Sequence, residues 1–440
     1  MASTILNRTP SSTGNRKKWT LSMWIKNSNL KGQGGSSYQR LYQADNDNEY
    51  FRFTESTGKL LWLTNNGSSG GFLTTRVFRD SNAWYHLVLR IDTTLGTAGD
   101  RSRLYVNGVE ETAFDTENQV AQDYDTYSNC ISKVMQFGGY STSDQNFNGC
   151  MSHVHLCDGY SYAPTEFGET DSTTGEWKIK TSPSVSYGTN GFFILKDGNS
   201  VTDQSGQGNN LTVSGTLTKT EDCPSNVFAT MNPLDNQNQG STFTIGNTKL
   251  EWNTNNKNNF ANFAINKGKF YWEMKYANAT GGTDAMIGMS LADTRQADDY
   301  PGHDATAWSY YASNGNKYHS GGSSYGNSWA ANDIIGVAFD ADTRTLWFSK
   351  NGDWQNSATK AEIAAGTTTN AAWTGMGSAG QYFIPCMSGY DGNKAEFNFG
   401  NGYFSTTQIT SAGSNASNIG LFEYDVPDNF TALCTKGLNE

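Results

Sequence analysis

Hydrophobic and polar residues alternate with a period of two along most of the chain. Clear examples lie at 19–26 (WTLSMWIK), 49–53 (EYFRF) and 84–92 (WYHLVLRID), and the second half continues in the same style at 268–276 (GKFYWEMKY) and 333–340 (DIIGVAFD). Clusters of Gly, Asn and Ser separate these runs, and helical periodicity is nearly absent. Short strands at regular spacing, with turn residues between them, predict β-sandwiches or jelly rolls.

One pattern occurs twice in the sequence. Residues 101–109 (RSRLYVNGV) and 343–353 (TRTLWFSKNGD) each lead an apolar run into Asn-Gly, and each follows a hydrophobic run that ends in Asp, at 87–92 and 334–340. Asn-Gly suits the positive φ angles of a type I′ turn between two antiparallel strands. We therefore predict that the chain uses one supersecondary unit in two related sandwiches.

The length of 440 residues favours two or three domains of ordinary size. Residues 224–240 combine two prolines with amides and glycine, which is typical of a domain boundary. We predict a first domain at 1–228, a second domain at 229–410 and a C-terminal strap or extension at 411–440. A similar Pro-x-Asn string with Phe, Ala and Thr behind it follows each domain, and we interpret both strings as straps laid across their domains.

Charge and composition exclude several classes of function. A formal net charge of −11 argues against nucleic acid as a partner, because phosphate binding depends on Lys and Arg. No stretch approaches the ~20 apolar residues of a membrane helix, so we expect no membrane insertion. Residues 1–19 lack the apolar region of a secretion signal, and the six cysteines form no C-x-x-C pair, so we expect reduced thiols made in a cytoplasm.

Both halves resemble known families. The first half resembles the laminin-G-like branch of the concanavalin A-like lectin/glucanase superfamily, through residues 19–26, 84–92, 103–108 and the strand FNGCMSHVHLCDG at 147–159. The second half resembles a SPRY domain across roughly 265–405, through GKFYWEMK, MIGMS, NDIIGVAFDADTRTLWFSKNG, YFIPCMS and FNFGNGYF. The two resemblances imply an all-β fold with two concanavalin A-like β-sandwich (jelly-roll) domains in tandem.

A narrower resemblance concerns the segments at 167–180, 186–195 and 201–215, which are similar to virion proteins of tailed phages, especially those of marine bacteria. This resemblance implies a bacteriophage particle component assembled in the host cytoplasm, such as a tail fibre or another surface-exposed appendage. Its partners would be other virion proteins and a host-surface glycan or protein. A homo-oligomer stays open, because the chain has neither coiled-coil heptads nor β-helix repeats that would support one.

Two other functions stay open beside host attachment. One is a purely structural capsid or tail decoration that contacts only other virion subunits. The other is a glycosidase that degrades polysaccharide, because the superfamily includes glucanases. No G-x-S-x-G string stands between a strand pattern and a helix pattern as a nucleophile elbow does, the chain has no P-loop or H-E-x-x-H motif, and we expect a protein that is not an enzyme.

Three acids at 45–49 are the best candidates for carboxylate chemistry. Asp45, Asp47 and Glu49 would line one face of a strand, as the acids of retaining glucanases do. Asn46 and Asn48 stand between them in place of apolar residues, so we interpret the stretch as a polar loop and expect no catalytic residues. The same three acids form a weak calcium candidate, and we expect no other cofactor.

Cys150, His153, His155 and Cys157 are close enough in sequence to suggest zinc. Three donors along one straight strand span too far for a single tetrahedral ion. We therefore predict ordinary histidines on the outer face of a sheet, and His86 fits the same description.

The stretch 300–329 is rich in loops and aromatic side chains, and it lies where the SPRY resemblance implies a partner-binding edge. Aromatic rings that are surrounded by amide and hydroxyl groups often bind sugars and extended peptides. We assign Trp308 and Trp329 to core packing. The side chains that we predict to be exposed and to contact a ligand are Tyr310, Tyr311, Tyr318 and Trp354.

Overall fold

A computed structural model provides the fold of this protein. The chain forms two compact units, residues 1–219 and 220–440. The boundary predicted from the sequence, after residue 228, lies later in the chain than this division. The structure describes the following residues: 4–28, 38–54, 57–196, 200–235, 240–280 and 282–439.

The first unit is built from strands joined by turns and short 3-10 helices. Its strands are β1 (Ile5–Arg8), β2 (Lys18–Asn27), β3 (Gln39–Ala44), β4 (Glu49–Phe53), β5 (Leu60–Thr64), β6 (Gly70–Thr74), β7 (Trp84–Asp92), β8 (Ser102–Val106), β9 (Val109–Glu110), β10 (Phe114–Asn118), β11 (Met135–Phe137), β12 (Gly149–Asp158), β13 (Gly168–Thr170), β14 (Trp177–Ile179), β15 (Phe192–Ile194) and β16 (Thr212–Ser214). Its 3-10 helices are Asn46–Asn48, Asn65–Gly67, Ala98–Asp100 and Pro164–Glu166.

The strands of the first unit form a two-sheet sandwich. One sheet has the order β10-β6-β5-β4-β3-β11-β1-β16, and the other has the order β15-β12-β2-β7-β8-β9. Period-two alternation sends one face of each sheet into a shared core. On β2, for example, Trp19, Leu21, Met23 and Ile25 are core residues. The predicted strand at 19–26 is therefore confirmed.

The second unit has the same construction and adds one short α-helix, α1 (Lys360–Ala364). Its strands are β17 (Ser241–Thr244), β18 (Lys249–Trp252), β19 (Lys257–Phe260), β20 (Lys269–Ala279), β21 (Met286–Leu291), β22 (Ala307–Tyr311), β23 (Asn316–Tyr318), β24 (Gly322–Ser324), β25 (Ile334–Asp340), β26 (Thr345–Lys350), β27 (Asp353–Trp354), β28 (Phe383–Gly389), β29 (Asn393–Asn398), β30 (Tyr403–Phe404), β31 (Thr407–Gln408) and β32 (Thr431–Ala432). Its 3-10 helices are Pro233–Asp235 and Gly437–Asn439.

Two sheets enclose the core of the second unit. One has the order β17-β18-β29-β20-β25-β26-β27, with β32 parallel to β20, and the other has the order β19-β28-β21-β22-β23-β24. Trp272 and Met274 of β20 and Val337 and Phe339 of β25 belong to the core between them. The all-β fold of two sandwiches in tandem is thus confirmed.

The repeated sequence pattern corresponds to a repeated sheet segment. In the first unit the neighbouring strands run β12-β2-β7-β8-β9, and in the second they run β29-β20-β25-β26-β27. In each unit a long strand, β2 or β20, pairs on one side with a strand from later in the unit, β12 or β29. On its other side it pairs with a two-stranded hairpin, which continues into the short strand β9 or β27. The predicted supersecondary unit is therefore present twice, and it is larger than the hairpin that revealed it.

The two Asn-Gly turns are closed by the same pattern of hydrogen bonds. Asn107 has a φ of 48° and Asn351 a φ of 51°, as a type I′ turn requires. The backbone N–H of Asn107 donates to the carbonyl of His86 at 2.9 Å, and the N–H of His86 donates to Oδ1 of Asn107 at 2.8 Å. Asn351 exchanges the same two bonds with Ile334, at 2.7 and 2.8 Å. Each asparagine side chain thus closes its own hairpin.

The C-terminal segment 411–434, which we call the strap, packs on the outer face of the sheet that contains β20. Phe422, Val426 and Phe430 of the strap join a buried cluster with Tyr271 and Trp347 of that face.

The string that follows the first sandwich also lies in the second unit, beside the strap. The N–H of Ala229 donates to the carbonyl of Leu433 at 2.9 Å, and Phe228 forms a bridge with Cys434. The two similar strings therefore pair with each other, so the interpretation of one strap on each domain is wrong.

Candidate functional site

Tyr310 lies in the core of the second unit. It shares the inward face of β22 with Trp308, and it is 0% exposed. Its ring packs against Tyr325 and Phe348, with centroids 5.6 and 5.3 Å away, and its hydroxyl donates to the carbonyl of Asn327. The prediction that Tyr310 is exposed is therefore wrong, because period two places it on the same face as Trp308.

Three half-buried tyrosines form a row on the opposite face. The ring of Tyr311 meets the ring of Tyr318 edge to face at 5.5 Å, and Tyr318 meets Tyr300 in the same way at 6.3 Å. We call these three side chains the tyrosine row. The structure thus brings the predicted Tyr311 and Tyr318 together. Tyr300, which opens the same aromatic stretch, is not among the site residues predicted from the sequence.

Polar contacts hold the tyrosine row in place. The hydroxyl of Tyr311 donates to the carboxylate of Asp284, and burial together with this carboxylate raises the pKa of Tyr311 to about 12. The loop that carries Tyr300 is tied to β22 by Ser309, whose hydroxyl donates to the carbonyl of Pro301. The rings are therefore ordered before any ligand arrives, which lowers the entropic cost of binding.

A cavity of about 230 Å³ lies beside Tyr300, and its lining includes Asn258, Asp298 and Asp299. The carboxylate of Asp298 lies 3.0 Å from Nζ of Lys257, and Oδ2 of Asp299 lies 3.4 Å from Nδ1 of His303. Carboxylate and amide groups accept hydrogen bonds from hydroxyl and N–H donors. The end of the row therefore combines aromatic surface with hydrogen-bond acceptors.

Trp354 has a packing role. It is half-buried in β27, its ring lies 6.2 Å from the ring of Tyr271, and it packs against the buried cluster under the strap. This packing covers part of the ring that the sequence predicts to be exposed, and the role of Trp354 as a ligand contact stays a prediction. The covering segment is the strap, which returns over this turn from more than fifty residues along the chain.

Asp45, Asp47 and Glu49 each have a different environment. The carboxylate of Asp45 lies 3.0 Å from Nζ of Lys133, Asp47 pairs with the buried guanidinium of Arg40, and Glu49 is 0% exposed. Within the part of the chain that the structure describes, no three His, Cys, Asp or Glu side chains are grouped as metal ligands. The structure therefore does not group Asp45, Asp47 and Glu49 into the calcium site that the sequence suggests.

Glu49 ties the first residues of β4 to a distant loop. Its Oε2 accepts the backbone N–H groups of Tyr127 at 2.9 Å and Ser128 at 2.8 Å, and the hydroxyl of Ser128 at 3.0 Å. Burial raises the pKa of Glu49 to about 7, although these hydrogen bonds favour the charged form. The prediction that Glu49 belongs to a polar loop is therefore wrong. Its hydrogen-bond donors lie almost eighty residues away, so no local pattern identified it.

Glu273 has the equivalent role in the second unit. One oxygen accepts the N–H of Tyr424 at 2.9 Å and the hydroxyl of Tyr271 at 3.1 Å. The other accepts the N–H of Glu423 at 2.9 Å and the side-chain amide of Asn398 at 3.2 Å. Burial raises the pKa of Glu273 to about 7. This carboxyl group therefore fixes the strap to the sheet.

The outer face of the larger sheet of the first unit carries arginines stacked with tyrosines. Arg52 lies over the rings of Tyr38 and Tyr50, with its guanidinium carbon 3.8 and 4.5 Å from their centroids. Arg40 lies over Tyr50 and Tyr140 at 4.6 and 4.7 Å. The five side chains form one continuous cation–π stack. Guanidinium groups cannot act as general acids at neutral pH, so this stack is an element of structure or binding.

Among the described residues, no helix is both long and apolar enough to cross a membrane.

Comparisons with known proteins identify both units. A family model described as the concanavalin A-like lectin/glucanases superfamily matches residues 4–165, and a SPRY domain model matches residues 269–402. Among solved structures, the SPRY domain of human HERC1 is 21% identical, with 36% of this chain and 92% of that chain covered and a TM-score of 0.30. The PSpry domain of TRIM65 is 12% identical, with 39% and 91% covered and a TM-score of 0.30.

Domains of these two families mediate protein or carbohydrate binding, and both fit a binding or adhesion role. The order of the two family matches agrees with the order of the two sandwiches. The chain therefore carries a concanavalin A-like lectin/glucanase domain followed by a SPRY domain.

Proposed function

We propose that this chain is a non-enzymatic adhesion protein on the surface of a phage particle, where it binds a host-surface glycan or protein through the tyrosine row. The observation that carries the proposal is the edge-to-face series of Tyr311, Tyr318 and Tyr300, with hydrogen-bond acceptors at its end. The assignment to a phage particle rests on the similarity of segments 167–180, 186–195 and 201–215 to virion proteins.

The tyrosine row suits a neutral ligand that forms hydrogen bonds. Tyrosine supplies a large contact area at low entropic cost, and its hydroxyl both donates and accepts hydrogen bonds. The carboxylates of Asp284 and Asp299, at the two ends of the row, can accept hydrogen bonds from sugar hydroxyls or peptide N–H groups. Aromatic rings flanked by such acceptors form the kind of surface that holds a sugar or an extended peptide.

Two observations favour binding over hydrolysis. Retaining glycosidases need two carboxyl groups about 5–5.5 Å apart on either side of the scissile bond. In the first unit, Asp45 and Asp47 are ion-paired, and Glu49 is buried with one carboxylate oxygen bonded to two backbone N–H groups. In the second unit, Glu273 is enclosed in the same way beneath the strap.

The test is binding of the purified full chain to a glycan array and to intact host cells. We expect Tyr318→Ala to weaken binding about tenfold or more, because Tyr318 contacts both other rings of the row. Tyr382→Ala is the matched control, since Tyr382 is 52% exposed and lies outside the row. Equal binding by the two variants would contradict the proposal.

Each of the two alternative functions predicts a different experimental result. For a structural decoration, reconstruction of the intact particle would find the tyrosine row buried against other virion subunits. For a polysaccharide-degrading glycosidase, incubation of the chain with host surface polysaccharide would produce new reducing ends. We expect neither result.

A further inference from the structure

The outer face of the six-stranded sheet in the first unit is buried under the segment 160–187, which we call the cover. The cover contains the hairpin of β13 and β14, and its residues Phe167 and Tyr187 form a buried cluster with Val88 and Cys157 of the sheet. Cys157 is 0% exposed, although β12 directs it away from the core. The face that the sequence predicts to be an outer face is thus a second buried layer.

His86 lies under the hairpin between two indole rings. Its ring centroid is 4.8 Å from that of Trp24 and 5.9 Å from that of Trp177, with interplanar angles of 13° and 16°. Nε1 of Trp177 donates to Nδ1 of His86 at 3.0 Å, so the imidazole proton belongs on Nε2, 2.9 Å from the hydroxyl of Ser22. A second proton, on Nδ1, would place two N–H donors against each other.

His155 lies on the same face, on the other side of β2. Its Nδ1 is 2.9 Å from the hydroxyl of Tyr187, and its ring stacks on Phe193 with centroids 3.9 Å apart. The ring of Phe167 lies 5.1 Å away, and His155 is 2% exposed. Residues of the cover therefore contact both buried histidines.

We infer that the cover is an acid-released lid over this sheet face, held closed at neutral pH by the uncharged side chains of His86 and His155. The closed cover excludes water and so disfavours the imidazolium form, whereas an open cover lets both rings charge in solvent. Proton binding by the open state alone pulls the equilibrium toward opening as the pH falls.

The direction of this pH dependence follows from the pKa values. Burial lowers the pKa of His86 from 6.5 to about 3, and burial lowers that of His155 well below its usual range. A histidine whose pKa is lower in the closed state than in the open state favours the closed state. This effect is complete when the pH is above the pKa of the open state. This stabilisation is lost as the pH falls from about 6.5 toward 3.

The other ionisable groups at this face do not supply a counter-charge. His153 and His86 both lower the pKa of His155. Burial raises the pKa values of Cys157 and Tyr187, so thiol and phenol stay uncharged between pH 5 and 7. Other charged or phenolic groups on the face and in the cover are Tyr105 of the same buried cluster, Tyr162, which contacts Phe167, and Lys196, which lies over the ring of Phe193. Arg90 donates to the hydroxyl of Ser161 at 2.6 Å, Asp203 accepts the N–H of Phe193 at 2.9 Å, and Lys178 of the hairpin is ion-paired with Glu169 and Asp171.

Hydrogen exchange of the full chain tests the lid. After correction for intrinsic exchange rates, we expect the protection of amides in 168–179 to fall about tenfold per histidine between pH 7.5 and 5.5. Amides of β2 beneath the cover should keep their protection over the same range. Equal losses in β2 and in the hairpin would overturn the inference, since they would mean that the whole unit unfolds as one.

Variants identify the groups that take up the protons. His86→Phe and His155→Phe keep an aromatic ring in each stack but cannot titrate. Each should remove one tenfold step, and the double variant should make the protection of 168–179 independent of pH. An unchanged pH dependence in the double variant would overturn the inference.

A second measurement needs no variant at the histidines. Cys157 lies beneath the cover, so its reaction with a dipyridyl disulfide reports opening, with Cys157→Ser as the blank for the other thiols. The rate at Cys157 should rise as the pH falls from 7.5 to 5.5, relative to a small-molecule thiol under the same conditions. A constant or falling relative rate would contradict the lid.

Discussion

The indole ring of Trp177 lies directly against Gly108, so closely that a Cβ on this glycine would come 2.4 Å from Cζ3 of the ring. Gly108 closes the Asn-Gly turn of the first unit and has a φ of +79°. Gly352 closes the equivalent turn of the second unit with a φ of +87°, and its Cβ would come 2.6 Å from Cδ1 of Tyr424. Each turn thus reverses the chain and also receives an aromatic ring from a segment that covers the sheet.

This double role predicts large effects of alanine at the two glycines. Gly108→Ala and Gly352→Ala should each lower the free energy of unfolding of their unit by about 2–4 kcal/mol, because positive φ and overlap with a ring act together. Urea unfolding measures the loss. Gly206→Ala and Gly366→Ala are matched controls, since their φ values are +85° and +73° and nothing lies within 4 Å of the added Cβ. Losses at the controls as large as those at Gly108 and Gly352 would show that φ alone is responsible.

The strands and the Asn-Gly turns were predictable because their determinants are local. In β7, for instance, Leu87, Leu89 and Ile91 stand at every second position and enter the core as the period of two indicates. The cover and the strap were not predictable, because they return over faces whose residues look solvent-exposed in sequence. Ser22 and His86 are both 0% exposed for this reason.

The candidate site was predictable in part. The aromatic stretch at 300–329 identified Tyr311 and Tyr318, which the structure brings to 5.5 Å from each other. Tyr310 could have been assigned to the core from the sequence, since it stands two residues from Trp308. The packing of Trp354 could not be predicted from the sequence, because the strap that covers it lies far away in the chain.

We predict that the buried carboxyl group of Glu273 makes the second unit more stable at pH 5 than at pH 8. Burial raises the pKa of Glu273 from 4.5 to about 7, so the folded state holds a proton that the unfolded state releases. The stabilisation that Glu273 contributes should therefore be full below about pH 4.5 and should be lost, by roughly 3 kcal/mol, as the pH rises through 7. Hydrogen exchange in urea at pH 5 and pH 8 reads the two units separately. A second unit that is more stable at pH 8 would contradict this sign.

Glutamine variants at the two buried acids should behave differently. Both oxygens of Glu273 accept N–H donors. A protonated carboxyl oxygen can still accept a hydrogen bond, whereas the amide nitrogen of Glu273→Gln cannot, so this variant should be destabilising at pH 5. In Glu49 a single oxygen accepts the bonds from Tyr127 and Ser128, so Glu49→Gln keeps them and should be stabilising at pH 8. Unfolding of both variants at both pH values measures the contrast. A destabilised Glu49→Gln at pH 8 would mean that its carboxylate is needed in the charged form.

Trp354 should affect stability rather than ligand binding. Its ring packs with Tyr271 and with the cluster under the strap, so Trp354→Ala should cost about 2–4 kcal/mol in the second unit. Binding of the folded variant to host cells or glycans should match the wild type, in contrast to Tyr318→Ala. Denaturant titration and a binding assay on the same preparations separate the two effects. A stable Trp354→Ala with weakened binding would identify this residue as a ligand contact.

The strap should behave as part of the core of the second unit, although the sequence reads as an extension. Phe430 is 1% exposed, and its ring meets that of Trp347 edge to face at 6.3 Å. Phe430→Ala should therefore lower the free energy of unfolding by about 3–5 kcal/mol, the usual cost of removing a buried phenyl ring. Leu438→Ala is the control, since Leu438 is 46% exposed and its loss should cost about 0.5 kcal/mol or less. A loss at Phe430 no larger than that at Leu438 would mean that the strap adds little to the stability of the sandwich.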